Sequence, residues 1–372
     1  MGRTVSAVIT SGSRPGAVGP FDVDVPWWAD VGPVVARLRE LLGVPAYVLR
    51  LLSVEGGEGA RDGHVTYHVA TELTPDPEPP HALRAPWAHA AGLRELLDWA
   101  VASVGRPVTG PLEQHRTWNL AGLFRLPTAE GPVWLKATPR FATDEAAVIA
   151  AFARVDPGLV PTVVAAGDHR ILLEHLPGED CWEAPAEVIA GGVRRFVAAQ
   201  AHVVAPAGLA DRRPATVMDR AAELLDRLGD ELTAEERSGA TALLSAPDFG
   251  LPVTLVHGDF HAGNWRSAGG DPVILDFADA HLGSPVLDGL RLCDFLPPQR
   301  RVAARRAWVS AWRAECPDSD PARALAVAEP YAHLSYAVRY QEFLDGIEPS
   351  ERIYHEGDPA SEIRAALRSA SR

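Results

Sequence analysis

Apolar and polar positions alternate in three stretches near the start of the chain. "VSAVIT" (5–10), "AYVLRLLSV" (46–54) and "HVTYHVATEL" (64–73) are rich in β-branched and aromatic residues and read as strands. Between the first two, "WWADVGPVVARLRELLG" (27–43) repeats its apolar residues at three- and four-residue steps, which predicts a helix stopped by Gly43. The proline-rich run "TPDPEPPHALRAP" (74–86) supports neither period and marks a boundary. A helical pattern, "AAGLRELLDWAVASVG" (90–105), comes next. Residues 116–176 return to strands with one helix. "TWNLAGLFRLP" and "GPVWLKATP" read as a hairpin around "TAEG", "DEAAVIAAFARV" (144–155) as the helix, and "ILLEHLPGE" (171–179) as a strand with its exit. From 184 onward the pattern is mostly helical, over 186–204, 299–313 and 321–344, and Thr233 with Glu236 has the spacing of a capping box. Only 252–280 interrupts it, with strand-like "PVTLVHGD" and "PVILDFAD". A strand-rich half before a helix-rich half predicts an α+β chain of two lobes.

The second interruption carries the densest chemistry. "LVHGDFHAGNW" (255–265) sets His257, Asp259, His261 and Asn264 in a loop after a strand, and three readings compete: metal cluster, catalytic loop, polar turn. His257-x-Asp259-x-His261 could supply nitrogen and oxygen ligands to a transition metal, but no further histidine cluster completes such a site. The catalytic reading has more support. Asn264 lies five residues after Asp259, and Asp276 twelve later at the end of "VILD". Phosphoryl transfer uses such a set: one carboxylate aligns the attacking hydroxyl, while an Asn and a second Asp hold Mg²⁺ against the phosphates. Upstream, "GPVWLKATP" puts Lys136 in a strand, and Glu145 stands nine residues on in the next helix. The order Lys, Glu, strand, Asp and Asn, Asp is that of kinase-like nucleotide sites.

Bulk properties narrow the partners. The net charge of −14 argues against a nucleic-acid partner and is compatible with a cationic ligand. Three scattered cysteines form no disulfide or zinc pattern, which fits a reducing cytoplasm. No apolar run reaches membrane-spanning length, and "MGRTVSAVIT" is too short in apolar residues for a signal peptide; its match to the loose myristoylation pattern is outweighed by its reading as a first strand. The acidic residues Glu342, Asp345, Glu348, Glu351, Glu356 and Asp358 read as a solvated face rather than a cation pocket.

"VHGDFHAGNW" followed by "VILDFADAHLGSPVLD" resembles the signature of the aminoglycoside phosphotransferase family, which includes choline-kinase-like and other small-molecule kinases. "HRTWNLAGLFRL", "VWLKATPRF" and "EFLDGIEPSERIYHEGDP" are similar to an actinobacterial-type branch with an N-terminal extension. The resemblance covers about residues 110–345 and implies an α+β, bilobal protein-kinase-like fold. The expected division is an accessory α+β module at 1–85, a linker helix and nucleotide-binding lobe at 86–176, and a helical lobe with catalytic loop and acceptor site at 177–372. By the same resemblance Asp259 is the catalytic residue and Asn264 and Asp276 hold Mg²⁺. Lys136 with Glu145 positions the phosphates, and Glu174, His175 and Leu176 form the hinge whose backbone meets the purine. Asp288 braces the catalytic loop; His257 and His261 are expected to do the same, and Asp279 and His281 either face the acceptor or solvate their loop. The chain departs from the family's usual pattern at Ala262, at Asp276-Phe277, and in a phosphate loop with the single glycine Gly122.

The function implied is transfer of the γ-phosphate of ATP or GTP to a hydroxyl of a small molecule, an aminoglycoside, amino sugar or amino alcohol, by a monomer or homodimer acting on neither nucleic acid nor membrane. The alternative is a nucleotide-binding sensor or scaffold without turnover. A protein kinase is disfavoured, because H-G-D replaces H-R-D and "DFA" lacks the glycine of D-F-G.

Overall fold

The computed structural model describes residues 2–10, 16–74 and 81–371. The chain divides into two compact units: Met1–Ala142 with Val163–His175 and Phe343–Glu356, and Thr143–Thr162 with Leu176–Glu342 and Gly357–Arg372. Part of the 74–86 boundary run, residues 75–80, lies outside the described residues.

The first unit opens with β1 (Arg3–Ile9), β2 (Gly16–Val23), α1 (Gly32–Leu42), β3 (Tyr47–Glu55) and β4 (His64–Ala70). The sheet order is β2-β1-β4-β3, parallel between β1 and β4 and antiparallel elsewhere. Strict alternation in β1 turns Val5, Ala7 and Ile9 inward, where they meet Val34, Val35 and Leu38 of α1. Gly43 ends that helix in the left-handed region (φ 70°), returning its N–H to the Arg39 carbonyl. The edge strand β2 is not legible in the sequence: "GAVGPFDV" has two glycines and a proline, and only its pairing to β1 makes it a strand.

After α2 (Ala90–Ser103) come β5 (Glu113–Trp118), β6 (Ala121–Leu126), β7 (Val133–Ala137), β8 (Val163–Gly167) and β9 (Arg170–Glu174), an antiparallel sheet in the order β5-β6-β7-β9-β8. The expected hairpin around "TAEG" is β6–β7, but "TWNLAGLFRLP" holds more than its first arm: it also contains the end of β5, with a turn at Asn119-Leu120 between them. Leu93, Leu96 and Leu97 of α2 pack with Phe124, Leu135 and Leu172 of this sheet and with Leu49 and Ala70 of the first sheet in one core, which also buries Trp87 and Ala88.

A short 3₁₀ turn, Pro349–Tyr354, completes this unit and corrects the reading of Glu348 and Glu351 as part of a solvated face, while Asp345 and Glu356 are exposed as expected. Glu351 is buried and its Oε1 accepts the Leu51 N–H (2.8 Å); Glu348 pairs with Arg50 (3.4 Å) and Arg84 (3.1 Å). The reason is that β3 is an edge strand whose outward backbone groups need partners.

The second unit is mostly helical: α3 (Glu145–Ala153), α4 (Ala186–His202), α5 (Pro214–Leu228), α6 (Ala234–Ala242), α7 (Val286–Asp294), α8 (Pro298–Glu315), α9 (Pro321–Val327), α10 (Glu329–Gly346, its last residues assigned to the first unit) and α11 (Asp358–Ala370). Thr233 and Glu236 make the expected capping box on α6. The single helix expected over 321–344 is broken at Ala328, since Pro330 has no N–H for the carbonyl of Ala326 and its ring crowds that turn, while a proline is well placed in the first turn of a new helix. Short strands β10 (Glu179–Asp180), β13 (Trp265–Ser267) and β14 (Val273–Ile274) form one small sheet. In the other, β15 (His281–Gly283) lies between β11 (Asp211–Arg212) and β12 (Thr254–Val256). Among the described residues no helix is long and apolar enough to cross a membrane.

Candidate active site

The loop 257–264 joins β12 to β13, and its shape is set from below. Asp288, in the first turn of α7, is fully buried and accepts the backbone N–H groups of His257 (2.9 Å) and Gly258 (3.0 Å) and the side-chain amide of Gln200 (2.8 Å). Burial pushes its carboxyl up to about 7, against the pull of those donors. Gly258 sits at φ +87°, and a Cβ there would fall 2.3 Å from the Asp279 carbonyl oxygen, so the loop needs glycine. His257 Nε2–H donates to the Leu275 carbonyl (2.9 Å), while its Nδ1 accepts the Asp259 N–H (3.2 Å). Burial holds its pKa below the ordinary histidine value, and Phe277, Phe260 and Phe196 surround the ring.

Asp259 stands on this platform with three donors on its carboxylate. Oδ1 accepts Arg291 Nε (2.8 Å); Oδ2 accepts Asn264 Nδ2 (3.0 Å) and His261 Nε2 (3.2 Å). His261 Nδ1 takes the Gly263 N–H (3.1 Å), which leaves the ring proton on Nε2. Burial alone would raise the Asp259 pKa; the His261 hydrogen bond and the Arg291 charge outweigh it and hold the carboxyl well below the usual range. The side chain keeps 29% exposure, so a ligand can reach it. Trp182 stacks on His261 (5.0 Å, 12°), and Phe295 stands edge-on to both rings, forming an aromatic wall beside the carboxylate.

Asn264 gives its other N–H to the Asp259 carbonyl (3.0 Å), so its side-chain Oδ1 is left as an acceptor. Asp276, at the end of the segment after β14, is held at φ +65°, a conformation that costs a non-glycine residue on the order of 1–3 kcal/mol. Its neighbour Phe277 is buried and donates its N–H to Glu145 Oε2 (3.0 Å) at the start of α3, and Asp144 caps that helix. An amide oxygen and a carboxylate are hard oxygen donors, and the pair fits Mg²⁺, which takes one or two protein ligands and completes its octahedron with water and phosphate oxygens. The histidine-centred alternative does not fit: the nitrogens of His257 and His261 are engaged by the loop's own groups and by the Leu275 carbonyl, and no group of three His, Cys, Asp or Glu suited to a metal ion occurs among the described residues.

Asp279 and His281 are tied into the fold. Asp279 Oδ1 accepts the Arg339 guanidinium (Nε, 2.9 Å), and Arg339 reaches Glu342 (3.0 Å), which also pairs with Arg212 and Arg220 (2.7 Å). His281 is buried with Nδ1 on the Asp279 carbonyl (2.8 Å), and burial together with the Arg212 charge pushes its pKa down to about 3. In the first unit, Lys136 is buried on β7, in register with Leu123 of β6 and Ile171 of β9. Glu174, at the end of β9, pairs with Arg106 (Nη1 to Oε2, 3.3 Å), and His175 Nδ1 accepts Trp134 Nε1–H (3.1 Å). Leu176 is half-buried and begins the longest segment of the second unit.

Arg291, Gln200, Arg339 and Trp182 escape a reading of the sequence. Only Arg291 has a signal there: it stands three residues after Asp288, one turn along the same face of α7.

Residues 124–326, more than half of the chain, match the family model described as "Phosphotransferase enzyme family". No curated protein sequence matches. Among solved structures, a choline kinase from Cryptosporidium parvum Iowa II aligns with a TM-score of 0.55 and 8% identity, over 75% of this chain and 95% of that one. A macrolide 2'-phosphotransferase of type I aligns with a TM-score of 0.52 and 19% identity (73% and 96%). A spectinomycin phosphotransferase in complex with ADP and spectinomycin aligns with a TM-score of 0.52 and 10% identity (75% and 98%). At these identities the likeness is one of fold, and that fold is α+β and protein-kinase-like, as expected from the sequence.

Proposed function

The chain belongs to the phosphotransferase enzyme family, whose members are small-molecule kinases, and from that premise we propose that Asp259 directs a hydroxyl of a small molecule onto the γ-phosphate of ATP or GTP. The observation that carries this reading is the ionised Asp259 carboxylate, exposed on one side and fixed by three donors, with the two oxygen donors Asn264 and Asp276 in the same unit.

The acceptor hydroxyl donates its hydrogen bond to Asp259, which aims the oxygen lone pair at phosphorus. The new O–P bond forms as the bond to the leaving diphosphate breaks, and the proton passes to the Asp259 carboxylate late in the step. A carboxylate whose pKa is so low is a weak base, so its work is alignment more than proton abstraction. Asn264 Oδ1 and the Asp276 carboxylate would hold Mg²⁺, which would supply positive charge to offset that of the phosphates. Lys136 would place a further cation on the phosphates, and Glu145, by fixing the Phe277 N–H, steadies the turn that presents Asp276. The backbone of Glu174 to Leu176 would meet the purine. Cytoplasmic action belongs to the same proposal.

The test is a turnover screen with Mg²⁺–ATP and Mg²⁺–GTP across neutral and amino-bearing hydroxyl compounds, following ADP, GDP and phosphorylated acceptor. Acceptor-dependent product is the expected result. Mg²⁺-dependent nucleotide binding without product from any acceptor or from water would favour a sensor.

A further inference from the structure

We infer that Arg291 is a positioning residue for phosphoryl transfer: it fixes the direction in which Asp259 receives the acceptor hydroxyl. The inference rests on the role proposed above for Asp259 and names a residue that neither the spacing of the motif nor that role requires.

A carboxylate has about four lone-pair positions. Asp259 gives three to Arg291, His261 and Asn264. Two of those donors are local, within five residues in the same loop, and both bind Oδ2. Without Arg291 the side chain could turn about its own bonds and present either face of Oδ1. With Arg291 on Oδ1, one lone-pair position is left, and it defines one approach for a hydroxyl.

Arg291 is itself held on several sides. Its guanidinium lies over the rings of Phe295 (4.6 Å) and Tyr336 (5.7 Å), and Asp294 stands 3.9 Å away. Its side chain is 22% exposed. Burial would favour its neutral form, but the Asp259 charge leads the opposing effects and keeps it protonated. The helix that carries it also carries Asp288, three residues earlier, which grips the N–H groups of His257 and Gly258. One turn of α7 therefore fixes the loop backbone and the next fixes the carboxylate. Any shift of α7 moves both together, so carboxylate and loop keep one mutual geometry. A misplacement of about 1 Å at such a site can cost on the order of a hundredfold in rate.

The experiment uses the full chain with Arg291→Met, which keeps a long apolar stem, and Arg291→Lys, which keeps the charge. The expected result for Arg291→Met is a kcat lowered by about 30- to 300-fold with nucleotide KM within about threefold of wild type. Arg291→Lys should recover at least about tenfold of the loss. In an Asp259→Asn background, Arg291→Met should cause little further loss, because the two act on one step. A variant Arg291→Met with kcat within about threefold of wild type would overturn the role. So would a loss shared equally by kcat and nucleotide affinity that Arg291→Lys does not recover, since that is the pattern of a structural residue. Wild-type protein that turns over neither acceptor nor water would overturn the phosphotransferase reading itself, and with it this one.

Discussion

Asp259→Asn preserves the size of the side chain and one acceptor oxygen but removes the charge that Arg291 faces at 2.8 Å. The expected outcome is a kcat lower by about 10²–10⁴-fold with nucleotide affinity retained, checked by steady-state kinetics and nucleotide titration. Retention of near-wild-type kcat would remove Asp259 from the step. Gly258→Ala acts differently. At φ +87°, with the Asp279 carbonyl 2.3 Å from the new Cβ, the loop must move or strain. The left-handed conformation alone costs on the order of 1–3 kcal/mol. A lowered melting temperature with a large loss of turnover is expected, and an unchanged activity would mean that the loop relaxes freely. At this scale the sequence is informative where chemistry is local: Asp259, Asn264 and the two histidines meet within eight residues. It is silent on Arg339 and Trp182, because their partners lie 60 and 79 residues away along the chain, and nothing in either neighbourhood marks them.

Among elements, the segment Pro349–Tyr354 on β3 carries a pH signature. Burial raises Glu351 from 4.5 to about 8 in the folded chain. The folded state then holds a proton that the unfolded state has lost, so this contribution is complete below about 4.5 and disappears as pH rises through about 8. Asp288 acts with the same sign between 3.8 and about 7. His257 and His281, lowered by burial, act with the opposite sign up to about 6.5, so denaturant midpoints should fall mainly from about pH 7 to pH 8, and Glu351→Gln, which keeps an oxygen for the Leu51 N–H, should flatten part of that slope. An identical slope in the variant would show that Glu351 ionises normally. The periodic elements α2, α3, α4 and β1 are legible, because their burial patterns are written in their own residues. Strands β2 and β8 are not: glycine, alanine and proline carry little strand signal, and register with a neighbour decides them.

At the scale of the whole molecule, the N-terminal residues, expected to form an accessory module, are joined to the rest of the first unit through a common core. Leu49 and Ala70 from the four-stranded sheet pack there with α2 and the five-stranded sheet. A sheet that shares its core with a second sheet should unfold with it. Leu49→Ala is expected to cost on the order of 2–5 kcal/mol. It should lower a single calorimetric transition for the first unit; two transitions, one of them unmoved, would mean that the N-terminal sheet is stable alone. This continuity cannot be read from the sequence, where the proline-rich run at 74–86 has the composition of a separator.

The edge of that sheet has a consequence for self-association. Gln114 accepts the Val48 N–H (2.9 Å) and donates to the Val48 carbonyl (2.6 Å), so one side-chain amide stands in for a neighbouring strand. Glu351 takes the next outward N–H, that of Leu51. The opposite edge, β2, carries Pro20, which has no N–H to offer. The β3 border is thus met by side chains at Val48 and Leu51 and the β2 border lacks one N–H at Pro20, so each offers an incoming extended segment fewer backbone partners than a bare edge would.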